Sequence, residues 1–300
     1  MASFMDIPFF ATQVDLLYRI ALLRNEWLDP IFLFLNYFDS VYFVMAVIPC
    51  VWIGVSHRWG LRVAILLILS SLINSHLKVL FDLPRPIVDF PDLPMVPFTT
   101  PGFPSGAAQT ASLLGGLLVY GWKSRWAWAV AIPYALLIGF SRLYLGVHYP
   151  MDVLGGYAFG IAIFFAFMFS IKKIEMICEQ QGRGFCIIMS IVVCFLYAFL
   201  LPSPSGYRLM GAFLGFSIGA YASIRFGLNP IRPRPIPDRI LSAAATVLIV
   251  YLLYFLSPSY TPAPIQSFVI SIWISVAAFP FCRACLPKIG SKKHHPRARS

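Results

Sequence analysis

From Phe38 to Phe281 the chain is a succession of apolar runs of about 15 to 21 residues, separated by short polar or proline-rich breaks. A helix rises 1.5 Å per residue, so about 20 apolar residues cross a hydrocarbon layer roughly 30 Å thick. Stretches such as Val63–Leu69 and Ile187–Leu201 are apolar on every face. Barrel strands would instead alternate apolar and polar residues. Inside lipid each backbone N–H and C=O must find its partner within the segment, and in an all-round apolar run only a helix provides that. With 59% hydrophobic and 12% charged residues, the chain lies outside the composition of soluble domains. The expected fold class is therefore all-α, a polytopic transmembrane helical bundle. Its spans are expected at Phe38–Ser56, Leu61–Leu80, Gly106–Trp122, Trp126–Phe140, Met151–Ile171, Gly184–Leu201, Leu209–Ile224, Ile240–Leu256 and Gln266–Phe281, about nine in all.

Charge placement orients these spans. Of the 23 lysines and arginines, 17 fall in alternate loops, around residues 58–62, 123–125, 172–183 and 225–239 and from 283 onward. Cytoplasmic loops collect such residues. An odd number of spans then puts the N-terminus outside and the C-terminus in the cytoplasm, in a bacterial inner membrane or, alternatively, the endoplasmic reticulum. The net charge of +11 is spread over short loops facing anionic lipid, so it calls for no nucleic-acid partner. Residues 1–37 form an N-terminal interfacial segment, in which Arg19 and Arg24 alternate with leucines as in an amphipathic surface helix. Met1–Phe10 has no basic start, apolar core and cleavage site of a signal peptide. Residues 286–300 are a basic cytoplasmic tail. Oligomeric state leaves no mark in the sequence.

Three of the remaining basic residues, Lys78, Arg85 and Arg142, sit at the outer ends of expected spans, on one membrane face. His148 and Asp152 bracket the start of the Met151–Ile171 span on that same face. Pro101-Gly-Phe-Pro-Ser-Gly106 leads into the Gly106–Trp122 span there. Ionisable groups at membrane-helix ends are functional candidates by default, although a single lysine or arginine can simply snorkel. Two arginine forks, a lysine and free N–H groups at a helix start suit a tetrahedral phosphoryl group. They also suit the charge that spreads over its equatorial oxygens during transfer. Such a cage needs no metal and no cofactor. One histidine and one nearby carboxylate are too few for a two-metal centre. Asn74, one helical turn before Lys78, either steadies the ammonium or packs as a helix amide.

The residues then match a family. Lys78-Val-Leu-Phe-Asp-Leu-Pro-Arg85-Pro86, Pro104-Ser105-Gly106 and Ser141-Arg142-x5-His148-x3-Asp152 resemble, in order, the motifs K-x6-R-P, P-S-G-H and S-R-x5-H-x3-D of the type 2 phosphatidic acid phosphatase superfamily. The resemblance implies a helical phosphatase core, here residues 38–201, followed by additional membrane helices over 202–285. It implies His148 as a nucleophile forming a phosphohistidine, with Asp152 orienting its far ring nitrogen. It also implies Lys78, Arg85, Ser105, Gly106 and Arg142 as ligands of the phosphoryl oxygens. The implied substrate is a lipid phosphate or diphosphate admitted sideways from the bilayer at the non-cytoplasmic surface. The longer layout is similar to glucose-6-phosphatase and the sphingosine-phosphate phosphatases, which leaves a soluble phosphate ester as the alternative.

One position departs from the pattern. Ala107 stands where the family's second motif has the histidine that protonates the leaving oxygen and later activates water. Loss of such a group costs about 10²- to 10⁴-fold. His76, two residues from Lys78 and on another helix face, is a poor substitute. Two readings stay open: a general acid replaced in an otherwise intact enzyme, so that this chain is crippled, or a natural phosphate-binding pseudoenzyme. The survival of every other motif position favours the first.

Overall fold

The computed structural model describes residues 8–200, 203–228 and 235–285. The basic tail and the basic-loop residues Arg232 and Arg234 lie outside the described residues. Among those described, every regular element is helical: α1 (Pro8–Ala21), α2 (Leu28–Leu35), α3 (Val41–Gly54), α4 (His57–Phe81), α5 (Pro86–Asp89), α6 (Gly106–Trp122), α7 (Arg125–Tyr144), α8 (Pro150–Gln181), α9 (Arg183–Leu200), α10 (Pro204–Arg225), α11 (Ile236–Phe255), α12 (Ala263–Ile272) and α13 (Ala278–Cys285). A 3₁₀ turn, Asn36–Asp39, follows α2, and a π turn, Trp273–Ala277, joins α12 to α13. The chain is an all-α, multi-pass membrane protein.

Each expected apolar run falls on a helix, yet five of the described helices are long and apolar enough to cross a membrane. The number becomes six if α2 and α3, bent by 66° across the 3₁₀ turn, count as one span. The expected total of about nine is therefore not reached on length and composition. The shortfall has physical causes: α6 has 17 residues, and α10 is diluted by glycine, serine and a terminal arginine.

Two compact units divide the chain, and both α3 and α4 pass from one to the other. The first unit, residues 1–44 and 66–181, packs α6 between α7 and α8 and sets α1 and α2 against α7. Helix α1 is anchored there by more than apolar contact. Gln13 Oε1 accepts from Met151 N at 2.9 Å, and Arg24 Nη2 donates to the carbonyls of Leu93 and Tyr144 at 2.7 and 2.9 Å. The amphipathic segment expected at the membrane surface thus closes over the α7–α8 turn through Leu17, Leu93 and Tyr149. In the second unit, residues 45–65 and 182–300, Gly211 and Gly215 of α10 lie against Pro264 and Phe268 of α12, and Gly219 lies against Ser275 of the π turn. Small residues at four-residue spacing let membrane helices approach closely.

The same device positions the start of α6. A methyl built on Gly156 of α8 would lie 2.5 Å from the Ser105 carbonyl oxygen, and one on Gly160 would lie 2.6 Å from the Gln109 carbonyl oxygen. Ser105 N in turn donates to the Asp152 carbonyl at 2.9 Å. The α8 start and the α6 start are therefore one rigid joint. Gly156→Ala is expected to push them apart, lowering stability by about 1–3 kcal/mol and weakening vanadate binding. Thermal unfolding in detergent, with and without vanadate, measures both.

Candidate active site

Two connections carry the site: the α4–α6 segment, 82–105, and the α7–α8 turn, 145–149. Proline supplies much of the first, because it removes a backbone donor and cannot continue a helix. Helix α4 ends at Phe81, and Pro84 and Pro86 flank Arg85, whose backbone is extended. The second connection turns at Gly146, where φ is +68° and a Cβ would strike the Leu93 carbonyl. The two are stitched together by Met95 N donating to the Leu145 carbonyl at 2.9 Å.

Arg85 crosses between them, and its side chain is 4% exposed. Its Nε donates to the Thr100 carbonyl at 2.6 Å, Nη2 to Thr100 Oγ1 at 3.1 Å, and Nη1 to the Val147 carbonyl at 2.9 Å. The guanidinium lies over the Phe98 ring, 4.4 Å from its centroid, a cation–π contact. Nη1 also lies 3.1 Å from His148 Nε2. An arginine has donors and no acceptor, so Nε2 must be the unprotonated nitrogen. The proton then sits on Nδ1, which donates to Asp152 Oδ2 at 3.2 Å. Tyr149 N donates to the same oxygen at 2.9 Å and holds the carboxylate in place. The ring therefore points a lone pair at the arginine cluster.

His148 is 1% exposed. Burial holds its pKa well below the ordinary value of 6.5, and the charges of Arg85, Lys78 and Arg142 push it the same way, against the Gly102 carbonyl. The imidazole is neutral at neutral pH, as a nitrogen nucleophile must be.

Arg142 is fully buried at the end of α7. Its Nη1 donates to Asn36 Oδ1 at 2.8 Å and faces Asp39 Oδ2 at 3.4 Å, while Nε and Nη2 share Ser141 Oγ at 3.1 and 3.0 Å. Lys78, at the end of α4, donates to the carbonyls of Pro101 and Gly102 at 2.6 and 3.2 Å. Ser105 occupies the N-cap position of α6 with an extended backbone, and its side chain makes no capping hydrogen bond. Its hydroxyl is buried and has no hydrogen-bond partner among the described residues. An orphan hydroxyl beside a helix N-terminus is what a phosphoryl oxygen would satisfy. A methyl on Gly106 would lie 3.3 Å from Asn74 Oδ1, a tight contact, and 3.7 Å from Asp39 Oδ1, an ordinary one. Among the described residues no group of three or more His, Cys, Asp or Glu is arranged to hold a metal ion.

Ala107 is not a gap. It is 1% exposed and packs with Phe32, Leu35, Tyr144 and Leu145. The other seven positions marked from sequence, Lys78, Arg85, Ser105, Gly106, Arg142, His148 and Asp152, lie together in the first unit. Asn74 takes the packing role: its Nδ2 donates to the Pro104 carbonyl at 3.2 Å and to Gln109 Oε1 at 3.0 Å. Gln109 passes this on to the Ser70 carbonyl at 2.9 Å and Ser70 Oγ at 2.7 Å, pinning the loop before α6 to α4. His76 Nδ1 faces the Leu72 carbonyl at 2.7 Å, within its own helix. Sequence reasoning missed Asn36, Asp39, Thr100 and Gln109. A signal existed for Asp39, a carboxylate set inside an apolar run, which is costly in a membrane unless it is used.

Comparison with known proteins points the same way. The PAP2 superfamily matches residues 59–175. Phosphatidylglycerophosphatase B of Bacillus subtilis is 29% identical over 157 residues, 48% of this chain and 75% of its own length. Lipid phosphate phosphatase delta of Arabidopsis thaliana is 27% identical over 243 residues, 73% of this chain and 58% of that protein. An undecaprenyl-diphosphatase of B. subtilis is 29% identical over 148 residues, 48% of this chain and 75% of its own. The match includes Lys78, Arg85, Ser105, Gly106, Arg142, His148 and Asp152 within its bounds, and over residues 59–175 the chain is similar to the PAP2 superfamily.

Proposed function

We propose that the chain is a membrane phosphatase of lipid phosphate or diphosphate esters, working through a phosphohistidine at His148 without a metal. The observation that carries this is the convergence on one histidine: Nδ1 held by Asp152, Nε2 aimed at Arg85, and the charges of Lys78 and Arg142 close by. A phosphoryl group entering this cage draws the arginine donors onto its oxygens and releases Nε2. The Ser105 hydroxyl and the free N–H groups at the α6 start complete the set of donors. Nε2 then attacks phosphorus, the P–N bond forms and the P–O bond to the leaving group breaks. Water later attacks the same phosphorus, and the P–N bond breaks to free phosphate and His148. The cationic cage supplies the charge that such a transition state needs.

The relatives' names, which speak of lipid phosphates and an undecaprenyl diphosphate, support a lipid substrate, as does a site embedded among apolar helices. With Ala107 the chain is a slow enzyme. The domain division proposed is a phosphatase core at 38–201 with further membrane helices at 202–285. The active face is proposed to be non-cytoplasmic, because most basic residues lie in the opposite loops.

Ala107→His is expected to raise phosphate release about 10²- to 10⁴-fold, at about 1–3 kcal/mol of stability, since an imidazole must enter the buried apolar cluster that holds Ala107. Release by the purified protein from a phospholipid phosphate, a polyprenyl diphosphate and a sugar phosphate measures it. Vanadate should inhibit, chelators should not, and the lipid tail should matter more than the head. Preference for the sugar phosphate would favour the soluble-ester reading. Ala107 itself favours a second reading, a phosphate binder without turnover. That reading replaces the first if Ala107→His releases phosphate from none of the three.

A further inference from the structure

We propose that Asp39 is the group that handles the proton at this site in place of the absent histidine, giving it to the leaving oxygen and later taking one from water. The proposal rests on the phosphatase reading above. Asp39 ends the 3₁₀ turn at the 66° bend between α2 and α3, and this turn packs on both α6 and α7. Its carboxylate therefore comes from an element outside the three motifs. Oδ1 is turned toward the start of α6, 3.7 Å from a methyl built on Gly106, the residue before Ala107. Oδ2 faces Arg142 Nη1 at 3.4 Å.

The other carboxylate of the site is already committed. Asp152 is 1% exposed and accepts from both His148 Nδ1 and Tyr149 N. Asp39 differs on both counts. Its side chain is 20% exposed, and 3.4 Å is longer than the 2.7–2.9 Å of a committed charge-assisted bond. The tighter partner of Arg142 is Asn36, at 2.8 Å. Asp39 is thus held beside the cage without being locked into it.

The chemistry balances. A phosphoryl dianion in the cage sets negative oxygens against the Asp39 carboxylate, and two like charges in contact favour the protonated carboxyl. As the P–N bond to His148 forms and the P–O bond breaks, the carboxyl proton passes to the leaving oxygen. In the second half-reaction the carboxylate takes a proton from water as the new P–O bond forms and the P–N bond breaks. Asp39 returns protonated and His148 returns free.

The test uses the full chain and two substrates that differ in leaving group. A long-chain alkyl phosphate leaves as an alkoxide and needs the proton. p-Nitrophenyl phosphate leaves as a stabilised phenolate and hardly needs it. Asp39→Asn is expected to slow the phosphorylation step, read in a single turnover, about 10²-fold with the alkyl phosphate and by less than about 3-fold with p-nitrophenyl phosphate, which should then show a burst of p-nitrophenolate ahead of slow dephosphorylation. Adding Ala107→His to Asp39→Asn should restore the alkyl rate. Vanadate affinity should hold or rise, because a negative charge has left the cage. A merely structural Asp39 would slow phosphorylation by both substrates alike, with no burst, and weaken vanadate binding through Arg142, and that result overturns the proposal. So does an unaltered chain that releases nothing while Ala107→His is active. If Ala107→His is itself inactive on every substrate, the phosphatase reading fails and the assignment of Asp39 fails with it.

Discussion

Replacing His148 with asparagine is expected to abolish phosphate release, by about 10⁴-fold or more, in the unaltered chain and equally in the Ala107→His protein. Losing the nucleophile removes the covalent route, so no acid or base elsewhere in the site can compensate. Asparagine approximates the shape and can still donate toward Asp152 Oδ2, so the fold should survive, and thermal unfolding should differ little from the parent. Acid quenching during turnover gives the complementary readout: an acid-labile, protein-bound phosphate in the parent and none in His148→Asn. Labelling of both proteins alike would place the nucleophile elsewhere. The pH dependence has a definite sign. Because burial and three cations hold His148 below 6.5, its protonation should not limit the rate between pH 7 and 6.5. Charging it at lower pH favours the unfolded chain. The stability carried by the neutral ring is whole above about 6.5 and is lost as pH falls through the depressed value.

Arg142→Met should be the most damaging substitution for the fold. The guanidinium is fully buried and joins the α7 end to Asn36 and Asp39 in a segment about a hundred residues earlier. Without it Asn36 Oδ1 loses a charged donor at 2.8 Å, a bond worth about 1.5–3 kcal/mol, and the part-exposed Asp39 adds less. Phosphate release should fall by about 10³-fold, as when a preorganised donor is removed from a developing oxyanion. Arg142→Lys should recover part of the stability and little of the rate, since an ammonium has the charge and not the planar fork. Thermal unfolding and turnover, measured on the same detergent-purified samples, separate the two effects. Equal stability of the parent and Arg142→Met would show that the Asn36–Asp39 turn does not depend on this contact.

The three motifs could be read before any coordinates because each is a short stretch in which spacing alone sets geometry. Four residues on a helix start bring His148 and Asp152 into contact, and Ser105-Gly106 announces an uncapped helix N-terminus to any anion. The helical class was equally plain, since apolar runs of that length permit little else in lipid. The number of spans was not. Length and hydropathy leave α6 and the bent α2–α3 pair at the threshold, and neighbouring helices decide whether such segments cross.

The sequence alone thus determined a helical membrane chain and nominated seven positions for the proposed phosphate cage, because composition and local spacing act over one or two turns. Only the tertiary structure decided which nitrogen of His148 faces the cage, that Ala107 is packed shut, and that Asn36 and Asp39 reach Arg142. Those three facts depend on side chains from α2 and its 3₁₀ turn, the 82–105 segment, α7 and α8 meeting. Contacts across about a hundred residues of sequence are set by how helices pack, and no local pattern encodes them.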